Sequence, residues 1–390
     1  MSRIFLIAGE ASGDVLGARL MAALRAQRDG LEFSGIGGAR MAEAGLNSIF
    51  PMQELAVMGL AEILPRIFAL KRRINQTIET IKATRPDIVV TIDSPGFCLR
   101  VLKGISGTGI TRMHYVGPQV WAWRQERVKH YPGLWEELLC LFPFEPEFFA
   151  PHGLNPVFTG HPVLESGADK GDAARFRAQH DISPGAVPVV LMPGSRVTET
   201  SRLLPVFRQT MAQLSTRIAQ LQPVLAAAAG IAEAVSAQTR DWPVPPIIVR
   251  DIATRYDAFA AARAALTKSG TSTLELAMAG VPMAVTYRVN PISALLARRL
   301  IKVPHVAMIN LLAGRELVPE LLQQDCTPAK LSDTLHGLIT NPAAAAAQRA
   351  GFAAALASLH APEGTPSAAA AARVLANLKR QRARPLGSFL

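Results

Sequence analysis

The sequence Leu266-Thr-Lys-Ser-Gly-Thr-Ser-Thr-Leu-Glu-Leu-Ala-Met-Ala-Gly-Val-Pro-Met-Ala-Val285 sets a polar turn and a short helix between two apolar runs. The helix is predicted to end before Gly280 and Pro282. The turn ahead of it consists of Ser269, Gly270, Thr271, Ser272 and Thr273. Hydroxyl groups at a helix start cap its free N–H groups, and the same end of the helix attracts a phosphate. Capping alone explains the hydroxyl cluster, but the glycine together with Glu275, which can bind a ribose diol, favours a nucleotide-diphosphate site.

The second half of the chain repeats this strand–turn–helix unit. Apolar runs that predict buried strands lie at 189–192, 224–228, 247–249 and 283–286. The first run ends in the turn Pro193-Gly-Ser-Arg196, where the guanidinium of Arg196 can bind two oxygens of a phosphate at once. Farther on, Asn310 and Arg315 flank Gly314 and are candidate cleft groups, although such a turn is also ordinary.

The first half shows the same alternation, with predicted strands at 4–8, 33–36, 88–92 and 139–141. The turn Gly9-Glu-Ala-Ser-Gly-Asp14 lacks the spacing of the dinucleotide-binding G-x-G-x-x-G motif, but it lies where α/β sheets place ligands. Asp93 ends its strand at the same sheet edge; a helix-capping aspartate is the alternative, and the strand-end position favours function. Two such series in tandem predict an α/β chain with two Rossmann-like domains facing a cleft.

The composition describes a globular chain with an anionic partner. It has 390 residues, 49% hydrophobic and 18% charged, with a net charge of +11. Nucleic acid, an acidic membrane surface and a phosphorylated substrate all satisfy that charge. The cysteines, Cys98, Cys140 and Cys326, have no metal-ligand spacing and fit a reduced cytosolic setting. No apolar run is long enough for a transmembrane helix, so any membrane contact is expected to be peripheral.

The segment from Val57 to Arg73 is more apolar than one core-facing helix requires. Its apolar residues are followed closely by basic ones, among them Lys71 and Arg72. A basic amphipathic segment of this kind suits a membrane surface or acyl chains beside phosphates. A core helix with a solvated basic end explains the periodicity equally well. The basic run 379–384 near the C-terminus is open to the same two interpretations, a solvated tail or contact with anionic lipid.

A second candidate surface is the aromatic segment His114-Tyr-Val-Gly-Pro-Gln-Val-Trp-Ala-Trp-Arg124. Tryptophans beside arginines can stack on bases of single-stranded nucleic acid. They also form a rigid wall for a sugar or a packed corner. One such cluster argues only weakly for nucleic acid.

Together these stretches resemble the lipid-A-disaccharide synthases, bacterial glycosyltransferases of the GT-B fold. The resemblance extends over nearly the whole chain, and Val-Trp-Ala-Trp-Arg124 and Asn310-Leu-Leu-Ala-Gly-Arg315 are its most specific parts. The other matching stretches are Ala8–Asp14, Val57-Met-Gly59, Ile92-Asp-Ser-Pro95, His114–Pro118, Phe142–Glu145, Pro193–Arg196 and Ser269–Glu275.

The resemblance implies transfer of 2,3-diacylglucosamine from UDP to 2,3-diacylglucosamine 1-phosphate (lipid X), with a β(1→6) bond and inversion. It implies no cofactor and no nucleic acid, and we find no Asp-x-Asp pair for a metal. By resemblance Asp93 is the base, supported by Glu10 and Ser12. Asn310 contacts the reacting sugar or diphosphate. Arg196 and the turn Ser269–Thr273 hold the UDP phosphates and Glu275 the ribose.

The resemblance also divides the chain into functional regions. Residues 1–165 are the expected acceptor- and acyl-binding domain, and 166–341 the UDP-sugar-binding domain. Residues 342–390 form C-terminal helices and a basic tail, expected to pack back on the N-terminal domain or on a partner chain. The protein is expected to be cytoplasmic and peripheral on the inner face of the inner membrane, bound through Val57 to Arg73. A homodimer is possible.

This sequence departs from the commoner family pattern beside the expected base. Gly96 replaces a second acid and Cys98 an asparagine, which leaves Asp93 as the acid of its loop. Two other functions are compatible with part of these motifs. A UDP-N-acetylglucosamine 2-epimerase would share the nucleotide half but not the apolar segment. A basic nucleic-acid or lipid-binding protein would not require Asp93, Arg196 and Glu275 in strand-end turns.

Overall fold

The chain forms two separate α/β units. The computed structural model describes residues 1–55, 63–290 and 300–383. The first unit comprises Met1–Pro162 and Leu359–Leu390, and the second comprises Val163–Ser358. Each unit is built on one parallel sheet with helices between its strands. The prediction of two Rossmann-like domains is confirmed, whereas the binding roles assigned to 1–165 and 166–341 stay predictions.

The sheet of the first unit has seven strands within the described residues. They are β1 (Ser2–Ala8), β2 (Leu31–Ile36), β3 (Asn47–Ser48), β4 (Ile88–Ile92), β5 (Thr111–Tyr115), β6 (Glu137–Cys140) and β7 (Pro156–Phe158). Their order is β3-β2-β1-β4-β5-β6-β7. The central strands are buried along almost their whole length, as expected of a parallel sheet covered on both faces.

The helices of the first unit follow its strands in the right order for parallel crossovers. They are α1 (Ala11–Gln27), α2 (Ala39–Glu43), α3 (Ile63–Thr84), α4 (Pro95–Gly104) and α5 (Glu145–Phe149). Asp14 in α1 caps α2, because its carboxylate accepts hydrogen bonds from the N–H groups of Gly38, Arg40 and Met41 at 2.8–3.0 Å. The last acid of the Gly9–Asp14 turn therefore has a structural use.

The sheet of the second unit has six strands within the described residues. They are β8 (Val187–Met192), β9 (Leu221–Ala226), β10 (Ile247–Val249), β11 (Ala264–Lys268), β12 (Met283–Tyr287) and β13 (Glu320–Leu322). Their order, β10-β9-β8-β11-β12-β13, repeats that of the first six strands of the other sheet. All neighbours are parallel.

Helices of the second unit cover both faces of its sheet. They are α6 (Ala173–Gln179), α7 (Val197–Ser215), α8 (Ala232–Thr239), α9 (Ile252–Ala261), α10 (Ser272–Met278), α11 (Met308–Ala313), α12 (Pro328–Thr340) and α13 (Pro342–Ala357). The core between α7, α12 and the sheet contains fully buried residues such as Leu191, Phe207, Leu266 and Leu335. The alanine-rich helix α13 packs on α10 and so supports the polar turn that precedes α10.

The last helix, α14 (Pro366–Ala383), returns to the first unit and packs on α1. Its Arg373 forms two hydrogen bonds of 2.7 Å with the fully buried Glu137 of β6, and Asn377 donates a third. Breaking a buried pair of this kind costs about 3–5 kcal/mol. The expectation that a C-terminal helix packs on the N-terminal domain is confirmed.

Candidate active site

Both sheets reverse their strand order at one point, and ligands of open α/β sheets bind outside the carboxyl ends of the strands at that point. In the first unit the reversal lies between β1 and β4, and in the second between β8 and β11. The loops that leave these four strands carry most of the predicted site residues. Each unit therefore has one candidate half-site, which consists of the turns that follow its two switch-point strands.

The first half-site begins with the turn after β1. Glu10 and Ser12 are exposed there, and Glu10 occupies the N-cap position of α1 without a side-chain capping bond. This turn lies against the turn after β4, since a Cβ atom added at Gly9 would lie 2.4 Å from Oγ of Ser94. The structure therefore brings the predicted Glu10 turn together with the loop that carries Asp93.

Asp93 is half-buried and held in an unusual backbone conformation. Asp93 and Ser94 have φ angles of +51° and +46°, where non-glycine residues are rare. Such residues cost about 1–3 kcal/mol each and cluster at functional sites. The N–H of Asp93 donates to the carbonyl of Tyr115 at 2.9 Å, which helps to hold this conformation.

Two electrostatic effects make Asp93 a stronger base than an ordinary aspartate. Burial raises the pKa of Asp93, and the negative charge of Glu10 raises it further. A backbone hydrogen bond at Ser94 acts in the opposite direction without cancelling them. A carboxylate with a raised pKa beside open solvent can accept a proton from a bound hydroxyl group.

The two departures from the family pattern differ in their surroundings. Cys98 is fully buried in α4, and burial, followed by the charge of Asp93, raises the pKa of its thiol. Gly96 is exposed, and a Cβ atom added there would meet no heavy atom within 4 Å. A side chain at Gly96 would have space, whereas Cys98 belongs to the core.

The aromatic segment is partly core and partly surface. His114 is fully buried, shares a 2.7 Å hydrogen bond with Thr91, and has a pKa lowered to about 3 by burial. Trp121 is also buried and donates to Glu145, whose pKa burial raises to about 7. Trp123 is 41% exposed, with the Arg124 guanidinium 4.7 Å from its ring centroid. Trp121 is therefore part of a packed corner, as one of the alternatives predicts. In this segment the exposed aromatic surface is the ring of Trp123, with Arg124 beside it.

The second half-site combines the turns after β8 and β11. Arg196 ends the first turn and is highly exposed, with its guanidinium 3.8 Å from Glu199. Lys268, the last residue of β11, donates to the same oxygen of Glu199 at 2.9 Å. Arg196 and Lys268 thus both lie near the carboxylate of Glu199, next to the predicted phosphate-binding turn Ser269–Thr273. Two positive charges and one negative charge give this half-site a net positive charge.

The predicted phosphate turn is stabilised mainly by bonds within itself and to its neighbours. Oγ of Ser269 donates to the carbonyl of Val306 at 2.6 Å, and Thr273 donates to Gly270 at 2.9 Å. Ser272 shares a 3.0 Å hydrogen bond with Thr267. Thr271, at the N-cap of α10, is exposed and makes no side-chain capping bond. The capping interpretation of the cluster therefore does not explain Thr271.

Glu275 lies one turn into α10 and is oriented by two neighbours. Arg255 and the hydroxyl group of Tyr256 both donate to its Oε1, at 3.1 and 3.0 Å. Because both bonds end on Oε1, the second oxygen of this partly exposed carboxylate can accept from a ligand hydroxyl group.

Asn310 is placed inside the second unit rather than on its surface. It is fully buried, and its amide oxygen accepts from the N–H groups of Leu317 and Val318 at 2.8 and 2.9 Å. Its amide nitrogen donates to the carbonyl of Val318 and to Glu320. Glu320 in turn accepts from the N–H of Val306, whose carbonyl binds Ser269. Asn310 is thus linked to the phosphate turn through this chain of hydrogen bonds.

Part of the basic amphipathic segment lies outside the described residues. This holds for Met58 and Leu60, and the side-chain surroundings of Ile63, Leu64, Arg66 and Ile67 are likewise not described. In the described part, Phe68 is 74% exposed beside the exposed Lys71 and Arg72. Arg73 instead binds Glu54 with two hydrogen bonds of 2.7 and 2.8 Å. The described helices include none with the length and apolar character that a bilayer crossing requires.

Three residues with site-like surroundings were missed by the sequence analysis. Lys268 and Glu199 form an ion pair 69 positions apart in the chain. Ser94 has a buried hydroxyl group without a hydrogen-bond partner among the described residues. Among these three residues Lys268 alone has a signal in the sequence, as a lysine at the end of the buried run Ala264–Lys268. Within the described ranges no three His, Cys, Asp or Glu side chains are grouped so as to hold a metal ion.

Comparison with known proteins gives close relatives in sequence. A family model described as lipid-A-disaccharide synthetase matches residues 4–373. The lipid-A-disaccharide synthase of Granulibacter bethesdensis is 58% identical over 383 residues, covering 95% of this chain and 98% of that protein. The protein of the same name from Gluconobacter oxydans is 58% identical over 372 residues, covering 95% and 90%.

The fold is shared more widely. The UDP-N-acetylglucosamine 2-epimerase of Neisseria meningitidis, solved with UDP-GlcNAc bound, superposes with a TM-score of 0.66. The alignment covers 97% of this chain and 100% of that one at 10% identity. At that identity the likeness shows a common fold and nothing about the reaction.

Proposed function

The chain belongs to the lipid-A-disaccharide synthase family of glycosyltransferases, and from that membership we propose a specific reaction. The protein transfers 2,3-diacylglucosamine from UDP-2,3-diacylglucosamine to the 6-hydroxyl group of 2,3-diacylglucosamine 1-phosphate. The products are the β(1→6)-linked disaccharide 1-phosphate and UDP, and the anomeric centre inverts. The main support beyond the family is the opposite chemical character of the two switch-point half-sites.

The acidic half-site supplies the base. A single displacement requires that the acceptor hydroxyl group lose its proton as its oxygen forms the new bond to the anomeric carbon. Asp93 accepts this proton, because burial and Glu10 make it more basic than an ordinary aspartate. Its backbone is held in the left-handed region, which fixes the direction of the carboxylate. Ser12, exposed in the adjoining turn, can orient the acceptor.

The basic half-site stabilises the leaving group. As the bond between the anomeric carbon and the diphosphate oxygen breaks, negative charge develops on UDP and needs a fixed positive environment. Arg196 and the turn Ser269–Thr273 supply it, and Glu275 accepts from the ribose. Asn310 acts indirectly, because its buried amide positions the backbone that leads to Ser269.

Membrane contact is the second part of this proposal. Both substrates carry acyl chains and one carries a phosphate, so the enzyme must collect them from an anionic membrane surface. The exposed Phe68 followed by Lys71 and Arg72 has the composition of an interfacial segment. We place the working enzyme on the cytoplasmic face of the inner membrane.

The assay of the reaction uses purified full-length protein, UDP-2,3-diacylglucosamine and 2,3-diacylglucosamine 1-phosphate. We expect equal amounts of disaccharide 1-phosphate and UDP, with neither formed when the acceptor is omitted. A parallel incubation with UDP-N-acetylglucosamine alone tests the epimerase alternative. Formation of the 2-epimer without disaccharide from the acylated pair would overturn the proposal. Light scattering of the same sample reports whether the enzyme is a homodimer.

The membrane contact is tested with phosphatidylglycerol vesicles. Phe68→Ser should lower vesicle binding about 10-fold or more, since burying one large apolar side chain is worth about 1.5–3 kcal/mol. Ile252→Ser is the matched control, because Ile252 is also an exposed apolar side chain, 48% exposed, but belongs to the second unit. Equal vesicle binding by the two variants would show that this segment does not contact the membrane.

A further inference from the structure

Lys268 occupies a special position in the second half-site. It is the last residue of β11 and directly precedes the Ser269–Thr273 turn at the switch point. The rest of that strand is buried, whereas the Lys268 side chain remains 22% exposed. Its ammonium group therefore reaches the edge of the sheet where a ligand of this fold binds.

The surroundings of Lys268 fix the position of its charge. Glu199 accepts one hydrogen bond from Nζ at 2.9 Å, and the Tyr287 ring centroid lies 5.4 Å from Nζ. An ammonium group has three donors, and within the described residues Glu199 accepts from one. The other two donors have no acceptor among the described residues and can bind a ligand.

The carboxylate that holds Lys268 is itself incompletely satisfied. Oε2 of Glu199 is buried and finds no hydrogen-bond partner in the part of the chain that the structure describes. This oxygen can only accept hydrogen bonds, so it would not contact a diphosphate, but it adds to the negative charge that holds the Lys268 ammonium group in place. The backbone of Gly194, with φ +112°, packs over it, and a Cβ atom there would lie 2.4 Å from this oxygen. The turn after β8 therefore closes directly on the ion pair.

Glu199 does not neutralise the half-site. Arg196 lies 3.8 Å from the same oxygen that Lys268 binds, so two positive charges face one negative charge. The excess positive charge lies between the two turns that leave the switch point. An anion with several oxygens, such as a diphosphate, matches such a site better than a neutral sugar does.

We propose that Lys268 is a further binding residue for the diphosphate of the nucleotide-sugar donor, positioned by Glu199. This deepens the proposed function and relies on it only for the choice of UDP as the probe. Glu199 keeps Lys268 extended toward the turn, and the diphosphate completes the coordination of its ammonium group. In the alternative, Lys268 and Glu199 form a structural ion pair that joins α7 to β11.

The test is UDP binding by isothermal titration calorimetry to the full chain, without acceptor. Lys268→Met should weaken UDP binding about 10-fold or more, the value expected for a lost charge-assisted hydrogen bond. Binding of uridine, measured by NMR titration, should be unchanged. Lys268→Arg should restore most of the affinity for UDP. Lys330→Met is the matched control, because Lys330 is also paired with a carboxylate, that of Asp325, in the same unit.

Glu199→Gln separates the two interpretations, because the amide oxygen of the new side chain can still accept from Lys268 and hold it in place, while the negative charge that offsets the cation is lost. The proposal predicts UDP affinity equal to or higher than that of the unaltered protein. Unchanged UDP affinity in Lys268→Met would overturn it. So would an equal loss of UDP affinity in Lys268→Met and Glu199→Gln with a similar fall in Tm. Because no transfer is measured, a weakened UDP affinity in Lys268→Met would stand even if the disaccharide assay failed.

Discussion

The two units have the same strand order around their switch points but present opposite charges there. The turns after β1 and β4 carry Glu10 and Asp93, and the turns after β8 and β11 carry Arg196 and Lys268. The topology thus provides two equivalent positions, and the side chains decide what each one does. An acidic position suits removal of a proton, and a basic position suits a leaving diphosphate. In the proposed mechanism the loops, and not the shared fold, therefore determine which step each unit carries out.

Substitution of Asp93, the proposed base, should lower activity more than any other change considered for the two half-sites. Asp93→Asn keeps the shape of the side chain but cannot accept the proton, so we expect kcat to fall about 10²–10⁴-fold. UDP affinity should stay the same, since that depends on the other unit. Steady-state kinetics and UDP titration measure the two quantities. A variant that retains full turnover would show that Asp93 is not the base.

Removing the exposed cation tests the other side of the comparison. Arg196→Ala should lower kcat/KM for the donor about 10–100-fold, because charge-assisted bonds to phosphate contribute about 1.5–3 kcal/mol. Tm should hardly change, since among the described residues the highly exposed guanidinium makes only a 3.8 Å ion pair. The control is Arg208→Ala in α7, the helix that follows Arg196, because the Arg208 side chain binds only the carbonyl of Asp241 among the described residues. An equal loss in both variants would mean that general surface charge, and not Arg196, attracts the donor.

The half-sites were largely predictable from sequence, because strand ends follow a topological rule. A buried apolar run followed by a glycine-bearing turn places the next side chains at the ligand edge of a parallel sheet, and this rule located Glu10, Asp93, Arg196 and Ser269. The alternation of strands and helices also predicted two Rossmann-like domains. The order of the strands required contacts between distant segments and was not readable.

Non-local contacts account for what the sequence did not reveal. The ion pair of Lys268 and Glu199 depends on two strands becoming neighbours, and no local pattern encodes it. The position of Asn310 near Gly314 predicts a cleft group, yet its amide is buried and bound to the backbone of Leu317 and Val318. The left-handed backbone of Asp93 is likewise held by tertiary contacts, among them the bond to Tyr115.

Neutralising Glu10 should change the pH dependence more than the maximal rate. The charge of Glu10 raises the pKa of Asp93, so Glu10→Gln should lower it. In the proposed mechanism Asp93 must be ionised, so kcat/KM falls when the pH drops below its pKa. This acid limb of the pH profile should therefore move to lower pH in Glu10→Gln. At neutral pH we expect only a few-fold change in rate. Glu79→Gln in α3, an exposed acid paired with Lys82, should leave the profile unchanged. An acid limb that stays in place would mean that burial alone sets the pKa.

Gly96→Asp is the opposite of Glu10→Gln, since it adds an acid to the half-site that is already acidic. We expect it to have the smallest effect of these substitutions. The position is the second residue of α4 and has free space for a side chain, so the fold should accept it. A negative charge near a helix N-terminus contributes about 0.3–1 kcal/mol, and replacing a helical glycine adds about 0.5–1 kcal/mol. For a unit of this size the sum corresponds to a rise in Tm of about 2–6 °C.

The new charge should also raise the pKa of Asp93 and move the acid limb to higher pH, opposite to Glu10→Gln. If the two variants moved the limb in the same direction, charge would not be what distinguishes this half-site from the other.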